Sequence, residues 1–165
     1  MNKMITIFIL GVCLLLCLGC GNSNLDGLVP AKGVLKFNGQ PVAGASVIFN
    51  PVDQTRSASG LTDANGNFTM MTLNPGDGVY PGEYIVTVTK IEYRGEMREE
   101  HSEGSRETIV HDTREMIEHL PSKYAAADTT DLKVTIPADG NKKIAFDLTG
   151  EVDTTPKKLK DVQRR

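Results

Sequence analysis

Apolar and polar residues alternate with a period of two in short runs along residues 33–90. Turn signals cut these runs at short, fairly regular spacing: Asn38-Gly39, then Asp63-Ala64-Asn65-Gly66, then Pro75-Gly76-Asp77-Gly78 with Pro81-Gly82. A first strand begins at Leu28 and ends at Asn38-Gly39, a pair that favours the positive φ of tight turns. Residues 45–50 form the next, with Ala45, Val47 and Phe49 on one face, and Pro51 stops it because proline gives no donor to the ladder. Residues 58–62 and 67–72 flank the turn at 63–66. The strongest strand signal is 83–90, where Tyr84, Val86 and Val88 face one way and Ile85, Thr87 and Thr89 the other. Further on, 132–137 and 142–148 alternate around Ala138-Asp139-Gly140-Asn141 and are expected to pair as an antiparallel hairpin. Many short strands with this punctuation predict an all-β sandwich or barrel.

Residues 91–120 break that pattern. They hold nine acidic and four basic side chains, a balance of −5. The first half, to about Ser105, has almost no apolar residues and is expected to be a mobile loop. The second half predicts a short helix, capped by Asp112 or Thr113 and apolar at Met116, Ile117 and Leu120. From Thr149 the chain turns polar. Lys157, Lys158, Lys160, Arg164 and Arg165 against Asp161 give +4 over the last ten residues. This tail is expected to be solvated and disordered, the alternative being contact with anionic lipid.

The N-terminus carries a different signal. Lys3 is the only charge before Asp26, and an apolar run of about fifteen residues follows it. A transmembrane helix needs roughly 20 residues, whereas the h-region of a secretory signal fits this length. The run ends in Leu16-Cys17-Leu18-Gly19-Cys20-Gly21, which resembles a bacterial lipobox. In that motif small residues precede a cysteine that is acylated and becomes the mature N-terminus. Gly19 fits the position before Cys20, and Cys17 stands where the family prefers leucine. All three cysteines (Cys13, Cys17, Cys20) lie in this region, so the body has no disulfide framework. The resemblance implies lipidation at Cys20 with palmitate-type chains; an ordinary cleaved signal peptide is the alternative. Two or more acyl chains anchor stably, each buried CH₂ contributing about 0.8 kcal/mol. The expected location is therefore the cell envelope, exported and held on a bacterial membrane by lipid.

Without the leader, 17 basic residues face 21 acidic ones, a balance of −4. A nucleic-acid binder would show a basic face, so that class is set aside.

The runs G-V-L-K-F-N-G-Q-P-V-A-G-A-S-V-I-F, G-L-T-D-A-N-G-N-F and P-G-E-Y-I-V-T-V-T-K resemble the carboxypeptidase regulatory-like, or transthyretin-like (prealbumin-like), β-sandwich family. More narrowly they resemble small bacterial lipoproteins that carry one such domain, a group in which L-P-S-K-Y at 120–124 also fits. The resemblance covers roughly 29–148. It implies a seven-stranded Greek-key sandwich with a binding or accessory role, and it brings no catalytic residues. The expected division is 1–19 signal peptide, 20–27 acylated tether, 28–149 sandwich with an acidic insert at 91–121, and 150–165 basic tail.

Candidate chemistry is sparse. Asp63, Asn65 and Asn67 have the spacing of the start of a calcium loop, but position 12 is Asn74 rather than a bidentate glutamate. A turn accounts for the same residues. His101, His111 and His119 are spread too widely for a zinc site. There is no G-x-S-x-G elbow. One enzyme of the resembled fold, the transthyretin-like hydrolase of 5-hydroxyisourate, closes with Tyr-Arg-Gly-Ser. Here Tyr93-Arg94-Gly95 is followed by Glu96, and the chain ends in Arg164-Arg165. Tyr80, Tyr84, Tyr93 and Tyr124 are candidates for sugar stacking. The expectation is a non-catalytic binding or structural module without metal or cofactor. Its partner, protein or glycan, is unidentified, and its candidate surfaces are the acidic insert and the loop at 74–82. A carbohydrate-contacting accessory domain is the alternative.

Overall fold

The computed structural model of the chain describes residues 25–101 and 108–159, of which 98–101 and 108–111 are described as backbone. In order, its strands are β1 (Ala31–Phe37), β2 (Gln40–Pro41), β3 (Ser46–Pro51), β4 (Ala58–Leu61), β5 (Asn67–Thr69), β6 (Gly82–Thr89), β7 (Ile91–Arg94), β8 (Met97–His101), β9 (Thr108–Asp112), β10 (Glu115–Glu118), β11 (Lys133–Ile136), β12 (Asn141–Leu148) and β13 (Lys157–Lys158). A single 3₁₀ turn, Ser122–Tyr124, follows β10. The described chain is thus nearly all-β, and its sheets are consistent with a β-sandwich.

Two four-stranded sheets form the body. In the first, β1 lies between β12 on one side and β5 and β2 on the other. In the second the order is β11-β6-β3-β4, antiparallel throughout. Period-two alternation sends one face of each strand into a single core. Leu35, Phe68, Ile144, Phe146 and Leu148 come from the first sheet, and Val47, Phe49, Tyr84, Val86, Val88 and Ile136 from the second. Phe49 joins the layers: its ring centroid lies 5.6 Å from Tyr84, 6.4 Å from Phe68 and 6.5 Å from Phe146. Burying each such side chain contributes roughly 1.5–3 kcal/mol.

Gly33 shows how closely β1 is flanked by its neighbours β12 and β5 in the first sheet. A Cβ there would stand 2.5 Å from the Ile144 carbonyl oxygen and 2.6 Å from Phe68 Cζ. The register between β1 and β12 shifts at this point, between Ala31 and Gly33.

Four expectations are corrected. Residues 132–137 and 142–148 do not pair with each other: β11 joins β6, and β12 runs parallel to β1. The Gly140 N–H donates to Pro137 O and closes an arch that carries the chain from one sheet to the other. Ile136 and Phe146 therefore face a shared core instead of lying side by side. The expected helix after Asp112 is strand β10, and the expected loop to about Ser105 contains β7 and β8. Helix propensity is a weak prior that pairing partners override. Lys157–Lys158 was expected in a disordered tail and instead forms β13 on the edge of β10.

The strand directions give the body two distinct ends. Ala31 is opposite Asn141, Ile136 is opposite Gly82, and Val29 bridges Val79. The described chain therefore begins at the end where β6 starts. β6 then runs to the opposite end and passes into β7.

Candidate functional site

Among the surfaces expected to make contact, the insert at 91–121 forms the largest projecting feature. Its pairings run from Ile91↔Glu118 to Arg94↔Glu115 and resume from Met97↔Asp112 to His101↔Thr108. The offset is the same on both sides of Gly95, and the His119 N–H donates to Lys90 O at 2.9 Å. The two hairpin halves are thus one antiparallel ribbon that continues β6 beyond the body. At about 3.4 Å per residue it is roughly 35–40 Å long.

Gly95 (φ +93°) sits at the bend of this ribbon, where a Cβ would stand 2.5 Å from the Thr113 carbonyl oxygen. Thr113 ties the bend together. Its Oγ1 accepts the Glu96 N–H at 3.1 Å and donates to Glu96 O at 2.9 Å.

The ribbon has two unlike faces. One presents Ile91, Tyr93 and Met97, which are 38%, 60% and 51% exposed. Arg114 lies on the same face. Its Nε and Nη2 donate to the two oxygens of Asp112, both at 2.9 Å, and Nη2 also reaches Met97 Sδ at 3.6 Å. This guanidinium, with the Arg114 backbone N–H, holds the Asp112 carboxyl at about 2. The other face carries Lys90, Glu92, Arg94 and Glu96. Glu92 accepts from Arg94 Nε at 2.7 Å and sits 2.9 Å from His119 Nε2, and these contacts hold its pKa below the usual range.

The two edges differ as well. β13 covers the β10 edge, with Lys157 beside Met116 and its Nζ 3.0 Å from Glu118 Oε2. Among the described residues, no strand pairs with the outer edge of β7. At the ribbon's root, Val88, Ile91, Leu120 and Pro121 line a cleft of about 60 Å³. That is room for one or two waters rather than an organic substrate.

The loop at 74–82 is a fixed part of the body. The Asp77 carboxylate accepts the N–H groups of Thr72, Leu73 and Asn74 at 2.7, 3.0 and 2.7 Å. Burial would raise its pKa, but these backbone bonds together outweigh it and hold it low. The sequence marks Pro75-Gly76-Asp77-Gly78 as a turn, and the structure adds that the Asp77 carboxylate is what ties it. Asp63 closes the other turn, accepting from the Asn67 side chain at 3.1 Å and from the N–H groups of Asn65 and Asn67, each at 2.8 Å. Its pKa is lowered, first by the Asn67 side chain. These bonds bear out the turn reading of 63–67.

The aromatic candidates separate. Tyr84 and Tyr124 are buried. The Tyr84 hydroxyl donates to Tyr80 O at 2.7 Å, and burial pushes its pKa up. Tyr93 stands exposed on the ribbon. His119 lies at the ribbon root, while His111 and His101 sit farther along β9 and β8. Among the described residues no group of three or more His, Cys, Asp or Glu side chains is placed to hold a metal. Cys20 and residues 160–165 lie outside the described residues.

No protein-family model matches the chain, and no curated protein matches it. Among solved structures, a crystal structure of a 9R-lipoxygenase from Cyanothece PCC8801 aligns over 77% of this chain and 17% of its own, at 15% identity and a TM-score of 0.32. The aligned chain thus spans about a sixth of that protein's length, and similarity at that level carries no functional argument.

Proposed function

We propose that this protein is an exported envelope lipoprotein, acylated at Cys20, in which a seven-stranded, transthyretin-like Greek-key sandwich holds a β-ribbon away from the membrane as a non-catalytic contact module. The observation that carries the reading is the polarity of the body. The chain enters at the end where β1 and β6 begin, close behind the expected acylated tether, and the ribbon leaves from the opposite end. Seven strands of the body (β1, β3, β4, β5, β6, β11 and β12) suit the Greek-key assignment, β2 being a two-residue stub.

A protein partner fits better than a glycan. Two of the four tyrosines are buried, and Tyr93 is flanked on its face by Ile91 and Met97 rather than by a second exposed ring. Asp63, Asp77 and Asp112 are each committed to turn or ion-pair bonds within the fold.

The test is fractionation of full-length chain and of Cys20→Ser, followed by cross-linking in native membranes and mass spectrometry. The reading expects wild type in the membrane fraction, Cys20→Ser released from it, and a recurrent protein attached to wild type. Retention of Cys20→Ser overturns the anchor. Glycan adducts without protein overturn the protein-contact role.

A further inference from the structure

The outer edge of β7 and β8 carries a self-complementary charge pattern. Charges recur at every second position: Lys90, Glu92, Arg94, Glu96, Arg98 and Glu100. Backbone bonding fixes which residues address this edge. Lys90 O and Glu96 O accept from His119 and Thr113 across the ribbon. In an antiparallel pair bonded and unbonded residues alternate, so the even-numbered residues bond inward. The odd-numbered strand residues Ile91, Tyr93 and Met97 therefore turn their N–H and C=O groups to the open edge, with Gly95 at the bend between them.

We propose that the ribbon pairs edge to edge with the ribbon of a second copy of this chain, antiparallel and with Gly95 on the two-fold axis. This rests on the ribbon being the contact surface proposed above and names its partner. In this register Arg94 stands opposite Glu96, Glu92 opposite Arg98, and Lys90 opposite Glu100. By symmetry each contact occurs twice. On the other face Tyr93 meets Met97, an apolar pair that covers two side chains exposed in the single chain. Bonded pairs fall on the odd residues. The charged residues fall on the unbonded pairs, where strands bring side chains closest.

Shifting the axis by one residue, to Arg94, keeps the backbone bonding. It sets Arg94 against itself, Glu92 against Glu96 and Lys90 against Arg98, and directly opposed like charges are destabilising. Shifting by two residues restores opposite charges but loses a third of the pairs. Charge therefore selects both the partner and the register. A C2 contact of this kind is self-closing, as a two-fold interface must be.

The experiment is sedimentation velocity of the full-length chain in detergent micelles, comparing wild type, Arg94→Glu, Glu96→Arg, their equimolar mixture and the double swap Arg94→Glu/Glu96→Arg. Wild type is expected to self-associate, more weakly at high salt. Each single variant opposes like charges and is expected to weaken association by about tenfold or more. The mixture unites an all-acidic centre with an all-basic one and re-associates. The double swap returns to wild-type behaviour and serves where a single variant fails to fold. A wild type that stays monomeric at its highest soluble concentration overturns the proposal, as do single variants that associate like wild type. A ribbon that cross-links to a foreign protein while wild type stays monomeric sinks this inference and leaves the contact-module reading standing.

Discussion

The body and the ribbon both use antiparallel strand pairs, to which the body adds the parallel pair of β1 and β12, yet different forces hold them. In the body, strands are buried on an inner face, and Phe49, Phe68, Tyr84 and Phe146 lock two layers together. In the ribbon there is one layer. Of its side chains Met116 and Ile117 are buried, while Ile91, Tyr93 and Met97 stay in contact with solvent. Cross-strand pairs and surface ion pairs must do what a core does elsewhere, and each such contact contributes only about 0.2–1 kcal/mol. An isolated two-stranded hairpin is marginal in water. The difference teaches that stability is concentrated in the sandwich, and that the ribbon is free to exchange its bonds for those of a partner.

The largest contrast comes from aromatic truncation. Phe49→Ala removes the ring that joins both sheets and is expected to cost about 3–5 kcal/mol. Tyr93→Ala on the exposed ribbon should fall within about 0.5 kcal/mol. Urea denaturation of the two variants checks this, and equal losses would erase the distinction between the regions. Next in size is Asp77→Ala, which leaves three backbone N–H groups without their carboxylate and should cost about 1–3 kcal/mol by the same measurement. A loss no greater than that of Tyr93→Ala would mean the loop at 74–82 is not part of the body.

Acid should separate the regions in a third way. Asp112 titrates at about 2, below the value of about 3.9 expected when unfolded. A depressed carboxylate contributes stability above its unfolded pKa and loses it as pH falls through the folded pKa. The Arg114 tie on the ribbon is therefore expected to fail between about pH 4 and pH 2. Followed by NMR, the Met97 methyl signal should shift in that window while the Val86 and Val88 methyl signals hold. The reverse order would contradict the account. The smallest effect is expected from deleting 156–165. Amide exchange at Met116, whose edge β13 covers, should quicken, and the thermal midpoint should stay put. A lowered midpoint would show that the tail supports the body.

How much of this was legible in the sequence follows from what carries each pattern. Tyr84, Val86 and Val88 announced β6 because their period of two is written in hydrophobicity. The turn at 63–66 was legible because Asp63 bonds only to neighbours in sequence. The ribbon has the same period, but from Lys90 to Glu96 it is written in alternating charge, which reads as a solvated loop when hydrophobicity is the only signal followed. Met116, Ile117 and Leu120 have helical spacing. In the folded chain Met116 pairs with Lys157 of β13 and Ile117 with Glu92 of β7, so the two neighbours lie on opposite faces of one strand. The arch at 137–140 has the same turn chemistry as a hairpin. Only the long-range pairing of β12 with β1 tells them apart, and that choice depends on residues more than a hundred positions away.

The account's central claim is that the sandwich supports and the ribbon makes contact. The most direct test places a photo-cross-linking residue at Tyr93 on the ribbon and, in a separate protein, at Lys36 on the outer face of β1, then irradiates each full-length chain in its native membranes. The account predicts discrete protein adducts, a second copy of this chain among them, from position 93 and none from position 36. Adducts from position 36 with none from position 93 would contradict it.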